Sequence, residues 1–359
     1  MRNQRDKFYK LIKIAYIFLR NIAAVQLYKG FKIDLTYPTR VCIKLNNECN
    51  SKCNMCDVWR QTKSELPASV WITTLKQLKL SFGNFKVGFT GGEVLLKDDV
   101  FEIFEFCHNV NLPYTITTNG KLLTNDNINR LLILKPMNIN ISIDSLDIDV
   151  YQKIRGVPFL ECVKSNIDYL MMQIEKNLFP TKVFFKTVVS NLNLNELHSI
   201  ANYAFEKKIA GITYDPIRRK RKIFMEGKID EFEKMIKIDM ETLSIAVKRL
   251  VELKNNGINI LNSKKRMNQW FKERPIDSKY FCSAPLRDLY ITNDGNVRLC
   301  DYTESYIGNI AHDDIHQILK SERTRIEKKR LTECKHPCDY CIHRSLFEYF
   351  KIFLSYMKD

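Results

Sequence analysis

The sequence predicts an α/β protein: six βα units forming a parallel sheet that curls into an open, partial (β/α)6 TIM barrel, followed by a smaller cysteine-bearing module. Three observations predict this. Between residues 40 and 217, short apolar runs alternate with helical stretches six times, the pattern of a parallel sheet with helices outside it. Right-handed crossovers would curl such a series of strands into a barrel. The alternation then stops, and cysteines return near the end of a 359-residue chain, a length that suits one large domain plus a smaller one.

Taken in order, residues 1–39 form a lead-in, with an amphipathic helix expected over 8–27. Lys10, Lys13, Arg20 and Asn21 interrupt its apolar residues, so no uncharged run reaches the ~20 residues of a membrane-spanning helix. The chain is therefore not read as transmembrane. A signal peptide is poorly matched because Lys13 falls inside the apolar region. Packing against the outside of the barrel is the plain role for this helix, with peripheral membrane contact as the alternative.

The barrel is expected over 40–225. Its strands are read at Arg40–Leu45, Lys86–Thr90, Tyr114–Thr118, Met137–Ile143, Lys182–Val189 and Gly211–Pro216. Helices are read between them at Asp98–His108, Thr124–Leu134, Phe159–Glu175 and Leu194–Lys207. In parallel barrels the chemistry sits at the C-terminal ends of the strands. A helical linker follows over 226–275, with one long charged helix at 228–255 and a break near Pro275. The cysteine module spans 276–345, and an aromatic amphipathic helix is expected over 346–359.

Hydrophobic residues make up 45% of the chain, enough for a sizeable core, which argues against wholesale disorder. Lys and Arg number 57 against 41 Asp and Glu, a net charge of +16. Such a charge speaks to partners rather than fold: an anionic substrate, a nucleic acid or an anionic membrane. A general lysine bias in composition is the bland alternative. The basic run Arg218–Lys222 follows the sixth strand; it is read as a solvated charge run or as a clamp on an anion near the barrel mouth. No RNA-binding module accompanies the charge, so RNA modification ranks last among the functions considered.

Of eleven cysteines, eight fall in two compact groups. That clustering reads as metal ligation in a reducing, cytoplasmic setting rather than a secreted disulfide framework. Cys49, Cys53 and Cys56 form a C-x3-C-x2-C pattern directly after the first strand. Three thiolates on one loop can hold three irons of a cubane cluster and leave the fourth open. A zinc knuckle is the competing reading, but zinc would want a fourth Cys or His nearby and this loop has none. Cys42, on the strand itself, reads as an inert core thiol.

This spacing after a first barrel strand resembles the radical S-adenosylmethionine superfamily. Other strand ends carry the likeness further. The second strand runs into Gly91-Gly92-Glu93, similar to the family's Gly-Gly-Glu motif, and the third ends in Thr117-Thr118-Asn119-Gly120, a common family sequence there. The fourth ends in Ser142-Ile143-Asp144. The resemblance implies that Gly91 and Gly92 let the backbone approach the cofactor and that Glu93 meets its ammonium group. It implies that Thr118 and Asn119 also border the cofactor and that Ser142 and Asp144 contact its ribose and carboxylate. Arg155, in Tyr151–Gly156, is then a bidentate clamp on that carboxylate. Lys186 and Thr187 are weaker candidates. Met55 departs from the family, where an aromatic residue often packs near the adenine; sulfur–aromatic packing can replace it.

The second group comprises Cys282, Cys300, Cys334, Cys338 and Cys341. Asn293-Asp294-Gly295 signals a hairpin between two apolar strands, which would bring Cys282 and Cys300 together. Gly295, five residues before Cys300, resembles the start of the SPASM/twitch module of the same superfamily. Five cysteines fully ligate one cubane, and the resemblance to the twitch module of the aminocyclitol dehydrogenases assigns Cys282, Cys300, Cys338 and Cys341, with Cys334 spare. A zinc ribbon is the alternative.

Two [4Fe–4S] clusters and S-adenosylmethionine are thus the expected cofactors, with flavodoxin or ferredoxin as the kind of reducing partner. The resemblance implies reductive cleavage of S-adenosylmethionine to a 5′-deoxyadenosyl radical, which abstracts hydrogen from a substrate, the auxiliary cluster moving electrons. The leading substrate class is a small anionic metabolite that is oxidised, epimerised or rearranged. The runner-up is a ribosomally made peptide, although the ~40 residues before the first strand are too few for an autonomous peptide-recognition domain. A non-enzymatic, cluster- or zinc-stabilised binding protein is the other class. No residue is assigned a direct catalytic role.

Overall fold

All six expected strands form, and their hydrogen-bonding order follows the chain. The computed structural model describes Tyr16 and residues 19–83, 85–217, 229–271 and 281–334, with the side chains of 229–231 left out. The strands are β1 (Arg40–Lys44), β2 (Lys86–Thr90), β3 (Tyr114–Thr118), β4 (Asn138–Ser142), β5 (Lys182–Val189) and β6 (Gly211–Pro216), each parallel to the next. Side-chain alternation decides which way each strand faces. Val41 and Ile43 of β1, Val87 and Phe89 of β2, and Val183 and Phe185 of β5 are buried toward the helices.

The helical layer comprises α2 (Ala68–Phe82), α3 (Val100–Asn109), α4 (Asn125–Leu134), α5 (Ile148–Arg155), α6 (Leu160–Asn177) and α7 (Leu197–Glu206); α1 precedes it over 19–31. Trp71, Leu75 and Leu78 of α2 and Ile103 and Phe104 of α3 are fully buried. Phe104 stacks on Tyr114 at a centroid distance of 5.3 Å and meets Phe89 at 5.4 Å, tying α3 to β2 and β3. Each such side chain contributes about 1.5–3 kcal/mol through burial.

Three features depart from the sequence reading. First, the long helix expected over 228–255 is two helices, α8 (Ile229–Ile236) and α9 (Met240–Asn255). Asp239 breaks it: its carboxylate accepts from Glu241 N–H and Thr242 Oγ1, making it the N-cap of α9. Second, the hairpin of β7 (Asp288–Ile291) and β8 (Asn296–Arg298) forms around Gly295 at φ +86°, but it is not a separate sheet. β7 runs parallel to β1, so one nine-stranded sheet has the order β6-β5-β4-β3-β2-β1-β7-β8-β9, with β9 at Gly308–Asn309. The cysteine module thereby covers the β1 edge. Third, Cys42 lies on the face opposite the helical core, beside Gly88 of β2, and is not a core thiol.

The other sheet edge is covered as well. Ile212 donates its N–H to Asn259 O and accepts from Leu261 N–H, and the Asn262 side chain bonds both the N–H and the carbonyl of Tyr214. A short helix, α10 (Lys264–Met267), follows this edge, and after β9 come α11 (Ile315–Lys320) and α12 (Glu322–Thr332). The N-terminal helix buries Ala24 and Tyr28, whereas Tyr16, Leu19 and Phe31 are exposed. Its trailing segment is held by Arg20 over Tyr37 and by Lys328 on Asp34 at 2.8 Å. Among the described residues no helix is long and apolar enough to cross a membrane. Cys338, Cys341, Arg218–Lys222, Pro275 and residues 346–359 lie outside the described residues.

Candidate active site

The first cysteine loop sits at the C-terminal end of β1 and is anchored from two sides. On one side, Gly92 N–H donates to Asn46 O and Glu93 N–H to Glu48 O, at 2.9 and 2.8 Å. Asn46 Nδ2 returns a bond to Glu93 O. A Cβ on Gly92 would strike the Glu48 carbonyl, and one on Gly91 would strike Asn46. The two glycines therefore admit the cysteine loop itself against the end of β2.

On the other side, the loop caps the C-terminus of α5. Lys52 N–H donates to Arg155 O, Asn54 N–H to Ile154 O, and Asn54 Nδ2 to Lys153 O. These are three of the four carbonyls that a helix end leaves without partners. Gly156, at φ +70°, closes the helix where a side chain would collide with Lys52 O.

Donors point at the sulfurs. Ser51 N–H lies 3.4 Å from Cys49 Sγ, Asn119 Nδ2 lies 4.0 Å from the same sulfur, and Arg155 Nη1 is 3.9 Å from Cys53 Sγ. Hydrogen bonds of this kind to ligating sulfur tune a cluster's potential. Burial pushes the Cys53 thiol up to about 12, with Arg155 pulling the other way; a metal must displace that proton to bind. Among the described residues, no three Cys, His, Asp or Glu side chains converge tightly enough for a single metal ion. Ligands to separate irons of a cubane stand farther apart than ligands to one ion. The three-thiol loop, its sulfur-directed donors and the glycine cradle fit a cubane.

The surrounding residues take partners that the sequence did not suggest. Glu93 is fully buried. Its Oε1 accepts from Thr118 Oγ1 at 2.7 Å and from Leu95 N–H, and its Oε2 accepts from Asn119 N–H at 2.7 Å. The carboxylate thus ties β2 to β3. Burial pushes its pKa up, and the three donors oppose this.

Asn119 spans from Glu93 to the cysteine loop, its Nδ2 donating to Asn50 Oδ1 and Ser51 Oγ. Arg155 Nε stands 2.7 Å from Asp144 Oδ2 in a buried ion pair; the two atoms are not aligned as a hydrogen bond. Asp144 Oδ1 accepts from Val188 N–H at 2.7 Å. Burial raises the pKa of Asp144, and the Arg155 guanidinium opposes that rise. Arg155 therefore joins Asp144 to Cys53 at the ends of β4 and α5.

Ser142 is half-buried at the end of β4. Met55 packs beside Ile154, Ile217 and Met235 of α8, a small apolar patch at the strand ends. The asparagines 46, 54 and 119 were the residues that sequence reasoning missed or undervalued as braces. Their one signal was density: the loop and its flanks hold Asn46, Asn47, Asn50 and Asn54.

In the second group, Cys282 N–H donates to Thr332 O and Cys300 Sγ accepts from Tyr302 N–H at 3.4 Å. Cys334 follows the end of α12, where Arg330 is close enough to act on both Cys300 and Cys334. Elsewhere, an outer cleft lined by Glu161, Lys164, Asp168 and Lys207 lies among the helices and takes in no residue of either cysteine group.

Residues 43–204 match the family model described as the radical SAM superfamily, and residues 282–342 match SPASM, an iron–sulfur cluster-binding domain. The chain belongs to the radical S-adenosylmethionine superfamily and carries a C-terminal SPASM domain. It is an enzyme of that superfamily, with [4Fe–4S] clusters and S-adenosylmethionine as cofactors.

A probable GTP 3′,8-cyclase of Sulfurisphaera tokodaii is 25% identical over 319 residues, covering 86% of this chain and 93% of that one. An uncharacterised protein of Methanocaldococcus jannaschii is 26% identical over 278 residues, covering 75% and 87%. Streptococcus suis SuiB bound to S-adenosylmethionine superposes with a TM-score of 0.68 at 18% identity, over 88% of this chain and 76% of that one. At that identity the likeness is one of fold.

Proposed function

We propose that this enzyme reductively cleaves S-adenosylmethionine at a cluster held by Cys49, Cys53 and Cys56, and uses the product radical to abstract hydrogen from a small anionic metabolite. The observation that carries this reading is the three-thiol loop at the end of β1 with donors on its sulfurs. When bound, the cluster supplies the electron that splits the sulfonium, and the radical so formed supplies the hydrogen abstraction.

The chain's own residues do the positioning. Gly91 and Gly92 let the loop seat against β2, and the α5 carbonyls fix its far end. Arg155 places a desolvated positive charge beside Cys53, which stabilises thiolate character there. Asn119 and Glu93 hold the β2 and β3 ends in register with the loop. Cys282 and Cys300, with Cys338 and Cys341, supply the ligands of the auxiliary cluster, and full cysteine ligation suits that cluster to electron transfer. The M. jannaschii and S. tokodaii relatives extend over most of the chain, and the cyclase name of the latter is in keeping with a small anionic substrate.

The test is 5′-deoxyadenosine formation by anaerobically reconstituted enzyme with a chemical reductant. Wild-type protein should form it and Cys53→Ala should not. Unchanged formation by Cys53→Ala would remove the proposal.

A further inference from the structure

The face of the sheet that turns away from the helices carries charge, and its acids are already spoken for. Cys42, Gly88, Thr115, Asn138 and Lys182 are register partners across β1 to β5, so they share that face. Lys186 is four residues beyond Lys182 and therefore faces the same way. It sits between Ser142 of β4 and Thr213 of β6 in the register. Cys42 of β1 and Lys186 of β5 thus face the same lumen.

Asp144 is held by Arg155 and Val188 N–H, Asp215 by Arg266 at 3.6 Å, and Asp288 by Arg40 at 3.0 Å. Asp301 also has a partner. Lys186 is half-buried and, among the described residues, has neither an ion-pair nor a hydrogen-bond partner. A partly desolvated ammonium without a counter-charge is costly unless an anion completes it. Its height matters too: Ile143 N–H donates to Lys186 O, so Lys186 lies just below the Asp144–Arg155–Cys53 group, inside the lumen that a substrate must share with the cofactor.

We propose that Lys186 is the specificity-determining residue of the substrate site, holding a phosphate group of a small metabolite with Thr213 Oγ1 as a second donor. This rests on the reading of the barrel mouth as a radical site and narrows its substrate class. A lysine is a point charge suited to phosphate, and a hydroxyl beside it supplies a directional donor.

The experiment is calorimetric titration of inorganic pyrophosphate into full-length, cluster-reconstituted protein at fixed ionic strength, with succinate as the carboxylate arm. Wild-type protein should bind one pyrophosphate saturably and succinate more weakly. Lys186→Gln should weaken pyrophosphate by about tenfold or more, as expected for loss of a hydrogen bond to a charged group. Lys186→Arg should retain most of the affinity. Thr213→Val, nearly isosteric, should weaken binding by a smaller factor, which guards against misfolding of the glutamine variant.

Equal binding by Lys186→Gln, absence of saturable binding, or succinate binding as tightly as pyrophosphate would overturn the proposal. Competition between pyrophosphate and S-adenosylmethionine would assign Lys186 to the cofactor and overturn it as well. The titration reads binding alone, so its failure leaves the radical reading standing, and loss of 5′-deoxyadenosine formation does not alter its outcome.

Discussion

Both cysteine groups place an arginine, paired with a carboxylate, beside sulfur. Near the first loop, Arg155 pairs with Asp144 and approaches Cys53, with both partners' side chains almost wholly buried at 8% and 0% exposure. Near the second, Arg330 grips Glu327 at 2.6 and 2.7 Å and acts on Cys300 and Cys334, but the arginine side chain is 53% exposed. The same chemistry thus operates with both partners buried in one place, and in the other with a buried carboxylate, Glu327, on an arginine that reaches water. A charge beside Cys53 is little screened, whereas a charge beside Cys300 is strongly screened. The contrast teaches that the first site is electrostatically built, whereas the described cysteines of the second are set by backbone, Cys282 N–H on Thr332 O and Cys300 just after β8.

Substitutions can break this comparison in order of size. Asp144→Ala leaves Arg155 buried without its counter-charge, and should destabilise the protein by about 3–5 kcal/mol, read from anaerobic urea denaturation. A cost below that of ordinary surface changes would mean the pair is not buried in solution. Gly92→Ala forces a methyl group against the Glu48 carbonyl and should cost about 1–3 kcal/mol, with iron lost from the first cluster ahead of the second. Retention of both clusters at wild-type stability would show that the loop does not seat as described. Glu327→Gln removes the buried carboxylate from an arginine that is half exposed and keeps its water, and should cost about 1 kcal/mol; a cost as large as that of Asp144→Ala would erase the contrast between the two sites.

The sequence made the barrel legible because strand and helix periods are local. The six strands fall within about a residue of their expected ends, since each is a short apolar run closed by a polar turn. The cysteine loop was legible for the same reason: three ligands lie within eight residues. What local patterns could not convey was pairing at a distance. The β1–β7 ladder joins residues about 250 apart, and nothing in either strand names its partner.

The same holds at the site. Glu93, Asp144 and Arg155 were recognisable as polar residues at strand and helix ends, but whether a carboxylate faces a ligand or a neighbouring strand depends on the folded geometry. Thr118 and Asn119 bond Glu93, and Val188 and Arg155 bond or pair with Asp144, partners that no local pattern names. The expected single helix over 228–255 failed on one residue, Asp239, whose capping strength outweighed the helical composition around it.

The central claim is that the loop of Cys49, Cys53 and Cys56 holds one cluster and the C-terminal cysteines another. Iron and acid-labile sulfide per chain in anaerobically reconstituted protein, wild type against the Cys49→Ala/Cys53→Ala/Cys56→Ala variant, tests it most directly. Wild-type protein should carry about eight irons and the triple variant about four. Equal iron in the two proteins would contradict the account.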